Sequence, residues 1–169
     1  GAASTFLYDT LTRLCAALGM DGSEYRRLVA GSFLVSCDNA HAVHPNHGEF
    51  ADRNHTVRMN GGVVIKYNAN QRYTSDAVSA GIFRRICESA GVPVQYYANR
   101  ADMPGGSTLG NISNTQVSLN AVDIGLAQLA MHSPFETAGA TDTASLVKAL
   151  TAFFEHSLVA ERDGVYRFL

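Results

Sequence analysis

Four histidines and an aspartate fall within one short stretch of the chain. His41, His44, His47 and His55 follow Asp38 closely. Imidazole suits both metal binding and acid–base chemistry, and a carboxylate at the end of a strand is a good ligand for zinc. The alternative is a polar loop whose imidazoles form local hydrogen bonds. Composition alone leaves both interpretations open.

A second candidate ligand, His132, lies far along the sequence from Asp38. A buried strand predicted at residues 33–35 delivers Asp38 at its C-terminal end, and His132 lies in the loop after a strand predicted at 121–124. In α/β sheets, ligands usually bind outside the carboxyl ends of strands. The two side chains are therefore predicted to lie on the same edge of a sheet.

The elements that must position these residues alternate between helix and strand. Apolar spacing predicts helices at 4–18, 23–30, 76–90 and 142–156, with Thr141 as a possible N-cap of the last one. Two further apolar runs predict strands at 63–67 and 94–98, whereas 39–60 is expected to be a loop and 102–110 a glycine-rich turn leading into a short helix. This alternation predicts an α/β fold, a three-layer α/β/α sandwich around a largely parallel, mixed sheet.

Composition narrows the class of protein. The length of 169 residues fits one domain, and the formal net charge of −2 gives no reason to expect a nucleic-acid partner. No apolar run is long enough to span a membrane, and no export signal is visible. Three widely spaced cysteines argue against a disulfide framework. A cytoplasmic protein is the default expectation.

Five ordered blocks of sequence resemble the aspartyl aminopeptidase family. The blocks are Ser36-Cys37-Asp38-Asn39-Ala40-His41-Ala42-Val43-His44-Pro45-Asn46, Gly62-Val63-Val64-Ile65-Lys66, Asn70-Gln71-Arg72-Tyr73, Asp102-Met103-Pro104 with Gly106-Ser107-Thr108, and Gln128-Leu129-Ala130-Met131-His132-Ser133. Because they span residues 36–133 in the family's order, chance similarity is a poor explanation.

This resemblance implies a zinc metallo-aminopeptidase with two metal ions per active site, acting on peptides and preferring Asp or Glu at their N-terminus. By position in the matched blocks, Asp38 and His132 resemble ligands of the two ions. His41, Lys66 and Tyr73 resemble residues that contact substrate, with Tyr73 and His41 in catalytic roles. Tyr73 would donate a hydrogen bond to the developing oxyanion, and Lys66 would pair with an acidic first side chain.

Each of these assignments has a simpler structural alternative. Lys66 would be an edge residue whose ammonium reaches solvent, Tyr73 a core tyrosine with a satisfied hydroxyl group, His132 a packing residue, and Asp38 a turn former. The chain also departs from the family at two places: Phe135 stands where Arg is usual, and Gly105 stands where Cys is frequent. Both departures bear on substrate preference rather than on the metal ligands.

The resemblance also implies that residues 1–169 form only the C-terminal portion of a catalytic domain. The family's upstream ligands include a Glu-Glu pair, which this chain lacks, and neither the upstream half nor the inserted second domain is matched. We therefore expect the fragment alone to be inactive, with the missing half and further copies of the complete enzyme as its partners. The alternative is a non-catalytic binding or assembly module derived from such an enzyme.

Overall fold

The computed structural model of the protein describes residues 1–162 and 164–169. In chain order the elements are α1 Phe6–Ala17, α2 Gly22–Gly31, β1 Phe33–Cys37, β2 Ala40–His41, a 3-10 helix Gly48–Phe50, β3 Val63–Tyr67, α3 Ala77–Ser89, β4 Val94–Ala98, α4 Leu109–Asn114, β5 Asn120–Gly125, β6 Ala127–Leu129, β7 Thr137–Ala138, α5 Ala140–Glu155, β8 Leu158–Arg162 and β9 Val165–Phe168. Within the described residues, no helix has the length and apolar character that crossing a membrane requires.

The main sheet has four strands in the order β1-β5-β3-β4. β1 runs parallel to β5 and β3 runs parallel to β4, whereas β5 and β3 are antiparallel. The predicted α/β fold with a mixed sheet is therefore confirmed. Because β3 has a neighbour on each side, it is an internal strand of the sheet.

Helices cover both faces of this sheet because alternate residues of a strand point to opposite sides. Val63 and Ile65 of β3, together with Val122 and Ile124 of β5, join the apolar cluster formed with α3 and α5. On the opposite face, the first turn of α4 meets β1, where the Gly110 amide donates to Ser36 Oγ at 2.8 Å. The polar site described below lies on this second face.

Helix α3 shows how local sequence sets these elements. The Asp76 side chain accepts a hydrogen bond from the Ser79 amide, and the Ser79 hydroxyl accepts one from the Asp76 amide, which closes a capping box. Ile82 and Ile86, one helical turn apart, are buried against the core, whereas Val78 in the first turn is 41% exposed.

The sequence-based element predictions were wrong in two regions. α5 begins at Ala140 with Gly139 as its N-cap, so Thr141 does not cap it; the Thr141 amide and hydroxyl donate to Asn60 Oδ1 instead. The segments expected to be loops also contain a small sheet of order β2-β6-β7, and β8 and β9 pair as a separate antiparallel unit.

Candidate metal and peptide site at the edge of the sheet

The segments that carry Asp38 and His132 are joined by pairing between strands β2 and β6. Ala40 pairs with Ala127 and His41 pairs with Gln128 in a parallel register. The Asp38 amide continues the ladder by donating to the Ile124 carbonyl at 2.9 Å. Two parts of the chain that are about ninety residues apart therefore meet at one edge of the main sheet, as their position after predicted strands had indicated.

Asn39 strengthens this junction through its side chain. Its Nδ2 donates to Gln128 Oε1 at 2.7 Å, and its Oδ1 accepts from the Leu126 amide at 3.1 Å. One amide group therefore ties the residue after Asp38 to the strand that leads to His132. The matched blocks gave no role to Asn39 or Gln128, and their positions next to Asp38 and at the start of the His132 block were the only available signal.

The candidate ligands themselves remain accessible. The Asp38 side chain is 45% exposed and His132 is exposed. His132 has a φ of 69°, in the left-handed region that residues other than glycine seldom adopt. Glu136 holds this turn closed, because its Oε1 accepts a hydrogen bond from the His132 amide. Strain of this kind is concentrated at functional sites, and the exposure of His132 argues against the alternative that it is a packing residue.

Lys66 is buried beneath the Asp38 loop. Only 3% of the residue is exposed, and its Nζ donates to the carbonyl oxygens of Asp38 and Asn39 at 3.2 and 3.1 Å. The Asp38 carboxylate lies 3.8 Å away, and burial lowers the lysine pKa while Asp38 and Asp123 oppose the shift. The edge-residue alternative is therefore wrong, because the ammonium lies on an internal strand away from solvent.

Tyr73 lies against Lys66 and is also buried. Lys66 Nζ stands 4.7 Å from the centre of the Tyr73 ring, within the range of a cation–π contact. The Tyr73 hydroxyl donates to Asn99 Oδ1 at 3.2 Å, and burial is the main cause that raises its pKa well above the usual range. The phenol therefore stays protonated at neutral pH and keeps its proton available for donation. The core-tyrosine alternative remains open, because the hydroxyl group is satisfied.

His41 shares the electrostatic environment of the other candidate residues. Burial lowers its pKa most, the charges of Lys66 and His132 lower it further, and Asp38 opposes them. These interactions place His41 within electrostatic range of all three side chains. The imidazole is therefore neutral at pH 7, with one nitrogen to donate and one to accept a hydrogen bond.

The remaining histidines of the cluster line a cavity of about 290 Å³ next to His41. Each bonds locally: the Asn46 amide donates to His44, His47 lies 3.1 Å from Glu49, and His55 lies 2.9 Å from Asp52. The polar-loop interpretation therefore describes His44, His47 and His55. Among residues 1–162 and 164–169, no group of three or more His, Cys, Asp or Glu side chains is arranged to hold a metal ion.

The donor types at this edge nevertheless fit zinc. A carboxylate and an imidazole are both common zinc ligands, and a catalytic zinc ion normally has three protein ligands. Asp38 and His132 are exposed and lie beside strands that pair, whereas Lys66 is already committed to backbone carbonyls. The donor types of Asp38 and His132 are thus compatible with part of a ligand set for zinc.

The chain is similar to proteins of one metalloprotease family. The family model for the aminopeptidase I zinc metalloproteases, M18, matches residues 1–154. The chain belongs to the M18 family. A probable M18 family aminopeptidase 2 from Pseudomonas aeruginosa strain PAO1 is 48% identical over 157 residues, which are 93% of this chain and 36% of that protein. A protein of the same name from Azotobacter vinelandii is 46% identical over 159 residues, or 94% of this chain and 36% of that protein.

Solved structures of M18 relatives share the fold. A chain from the cryo-EM structure of the Ape4 and Nbr1 complex superposes with a TM-score of 0.88 at 39% identity, covering 92% of this chain and 29% of that chain. The S. cerevisiae mApe1 dodecamer gives a TM-score of 0.78 at 26% identity, covering 92% of this chain and 34% of the mApe1 chain. The chain thus spans about a third of the length of the M18 proteins that it matches.

Proposed function

We propose that this chain is the C-terminal portion of the catalytic domain of a zinc aminopeptidase that releases single residues from the N-terminus of peptides. The observation that carries the proposal is the β2–β6 pairing, which joins the Asp38 and His132 segments beside Lys66 and Tyr73. Family membership supports the same activity. In this proposal, the upstream half and an inserted second domain belong to a longer chain, as the greater length of the M18 relatives suggests.

Asp38 and His132 would each hold one of two zinc ions, together with ligands from the upstream half. When bound, the ions would supply Lewis-acid polarisation of a peptide carbonyl and would activate a water molecule for attack. Asp38 is suited to its role because Lys66 donates to the carbonyl oxygens of Asp38 and Asn39, which fixes the backbone, while the Asp38 carboxylate stays exposed.

Tyr73 and His41 would act on the substrate directly. The raised pKa of Tyr73 keeps its hydroxyl protonated, so it can donate to the oxyanion after leaving Asn99. The lowered pKa of His41 keeps its imidazole neutral, so it can hydrogen-bond to the peptide without adding positive charge to a site that already contains Lys66.

Lys66 would give the site its preference for Asp or Glu as the first residue. An ammonium has three N–H donors, and the two backbone carbonyls account for two of them. Lys66 Nζ lies 3.8 Å from Asp38 Oδ2, beyond hydrogen-bond distance, so the third N–H would remain available to a substrate. An acidic substrate side chain would receive that hydrogen bond in a poorly solvated position, where a charged pair is stronger than at an exposed surface.

The complete protein is proposed to be a cytoplasmic homo-oligomer. The S. cerevisiae mApe1 relative is a dodecamer, and Cys15, Cys37 and Cys87 are free thiols in this structure, as expected for a reducing compartment. The second candidate function is a non-catalytic binding or assembly module. The shortage of metal ligands in the described residues favours that alternative for the fragment when it is alone.

The test uses the full-length protein that carries this segment, zinc, and peptides that differ only in their first residue. We expect zinc-dependent release of N-terminal Asp and Glu from the full-length protein and none from residues 1–169 alone. The intact mass of the purified material and the identity of any co-purifying chain separate the two candidates. A stable full-length protein that neither binds zinc nor cleaves peptides would support the module and contradict the peptidase.

Substitution of the two lysines tests the specificity step. Lys66→Leu is expected to reduce kcat/KM for Asp- and Glu-initiated peptides far more than for neutral ones. Lys148→Leu is the matched control, because Lys148 is exposed on α5 and is the only other lysine in the sequence. Unchanged discrimination between acidic and neutral first residues in Lys66→Leu would show that Lys66 does not select the substrate.

A further inference from the structure

Asp123, on the internal strand β5, is a completely buried carboxylate with an uneven set of hydrogen bonds. Its Oδ2 accepts from the Thr74 amide at 2.6 Å and from Thr74 Oγ1 at 2.8 Å, and none of the residue is exposed. Its Oδ1 has no hydrogen-bond partner among the residues that the structure describes. Buried polar atoms are usually paired, so this arrangement requires an explanation.

Gly110 leaves room for the Asp123 carboxylate on the side of Oδ1, the oxygen without a hydrogen-bond partner among the described residues. A Cβ atom built on Gly110 would lie 2.9 Å from Asp123 Oδ1 and 2.9 Å from Ser36 Oγ, closer than side chains approach one another. Glycine at 110 therefore accommodates both groups. Burying the unpaired Oδ1 is costly, whereas Oδ2 is satisfied by the two hydrogen bonds from Thr74.

The side-chain hydrogen bonds of Asp123 lead to the loop that follows Tyr73. Besides the two bonds from Thr74, the Asp123 amide donates to Ser75 Oγ at 2.9 Å, and Ser75 Oγ donates to the Asp123 carbonyl at 3.4 Å. Four hydrogen bonds thus join residues 74 and 75 to one position of β5. Tyr73 directly precedes them and places its ring against the Lys66 ammonium.

We propose that Asp123 is a positioning residue, which fixes the Tyr73 ring and hydroxyl by holding Thr74 through hydrogen bonds to a charged acceptor. Such bonds are shorter and roughly twice as strong as bonds between neutral groups, and the 2.6 Å separation fits that description. Asp123 also acts electrostatically on the buried Lys66 and Tyr73, raising the pKa of each. The catalytic consequence rests on the proposed function, whereas the positioning of Tyr73 does not.

Asp142 provides a matched control, because it is also completely buried but serves another part of the fold. Its two oxygens accept from the amides of Asn60 and Gly62, at 2.7 and 2.9 Å, which ties the start of α5 to the loop before β3. Asp142 has no hydrogen bond to Thr74 or Tyr73 in the described structure. Asp123→Asn and Asp142→Asn therefore remove the same charge from equally buried positions.

The kinetic experiment compares these variants in the full-length protein at matched folded fractions. We expect Asp123→Asn to lower kcat by about tenfold or more, since small misplacements of catalytic groups are costly, with little change in KM. Asp142→Asn should lose stability and keep its kcat. Thr74→Val, which removes one donor without changing size, should lower kcat, and Thr74→Ser should recover most of it. If Asp123→Asn and Thr74→Val reduce kcat no more than Asp142→Asn does, Asp123 has only a structural role.

A spectroscopic measurement tests the positioning of Tyr73 and does not depend on enzymatic activity. The full-length protein is labelled with 3-fluorotyrosine, and the Tyr73 signal is assigned by its loss in Tyr73→Phe. We expect a shifted or broadened signal in Asp123→Asn and Thr74→Val, and an unchanged one in Asp142→Asn. An unchanged signal in both test variants would overturn the proposal. A wild-type protein with no peptidase activity would instead refute the proposed function. The 3-fluorotyrosine signal would then still test whether Asp123 positions Tyr73.

Discussion

Gly125 is the last residue of β5, and the main chain of the Asp38 loop passes directly against it. A Cβ atom built on Gly125 would lie 2.7 Å from the Asp38 carbonyl carbon and 2.8 Å from Asn39 Cα, and it would overlap the Asp38 carbonyl oxygen. Carbon atoms pack at about 3.5–4.0 Å, so Gly125→Ala forces the two backbones apart by about 1 Å.

That separation acts on hydrogen bonds on both sides of the contact. The Asp38 amide donates to Ile124 and the Ala40 amide donates to Leu126, both at 2.9 Å, and Lys66 donates to the Asp38 carbonyl at 3.2 Å. A neutral hydrogen bond contributes about 1 kcal/mol and one to a charged group about 1.5–3 kcal/mol. Partial loss of the three bonds therefore predicts a decrease of about 2–4 kcal/mol in the free energy of unfolding.

The assay is urea unfolding followed by circular dichroism, supported by thermal melting. A loss of this size corresponds to a Tm lower by about 5–15 °C for a chain of this length. Gly81→Ala is the control, since Gly81 lies within α3, is exposed, and a Cβ atom built on it would meet no heavy atom within 4 Å beyond the backbone of its own helix. Alanine is favoured over glycine in a helix interior by about 1 kcal/mol, so this variant should be more stable. If Gly125→Ala stays within about 0.5 kcal/mol of the wild type, the typical range of a neutral substitution, the close approach to Asp38 is not rigid.

Three further predictions concern the core and the junction of the site. Burial raises the pKa of the Cys87 thiol to about 12 from the usual 9.0. Because the folded state keeps the thiol proton to a higher pH than the unfolded state does, the free energy of unfolding should fall as pH rises from about 9 to 12, by up to about 1.4 kcal/mol per pH unit. Urea titrations of Cys87→Ala should lack that pH-dependent decrease. Asn39→Ala and Gln128→Ala should each cost about 1 kcal/mol, and a double-mutant cycle should give a coupling energy of about 0.5 kcal/mol or more; additive losses would show that the 2.7 Å bond is not formed in solution. Phe83→Ala, at a completely buried position between α3 and the sheet, should cost about 3–5 kcal/mol by urea unfolding, and a smaller loss would mean that the core closes around the cavity.

The longer elements could be predicted because their side-chain pattern is local. The helix predicted at 76–90 is α3, Ala77–Ser89, and the strands predicted at 63–67 and 94–98 have those bounds in the structure. The helix has apolar residues at helical spacing, the two strands are short apolar runs, and a glycine, a proline or a capping residue adjoins each element. These signals lie within a dozen residues and do not depend on the rest of the chain.

The short strands could not be predicted, since their pattern is not local. β2 has two residues and β6 has three, too few for an alternating pattern to be recognised. They exist because their backbone groups pair with each other across a long separation in sequence, and strand preference depends strongly on such context. The same reason explains the failed cap at Thr141, whose hydroxyl bonds to Asn60 from a distant loop.

Lys66 illustrates which features of the site could be predicted from the sequence and which required the structure. A single lysine at the end of an apolar strand cannot be assigned to an edge or to an internal strand from the sequence, because the spacing is the same in both. In the structure, burying its ammonium is costly unless hydrogen bonds replace the lost water. The two carbonyls that replace it belong to Asp38 and Asn39, the residues that bear one candidate ligand and the side-chain link to β6. The charge proposed to recognise substrate therefore also fixes the backbone of a proposed metal ligand, and we expect substitutions at 66 to change peptide selection and metal affinity together rather than either one alone.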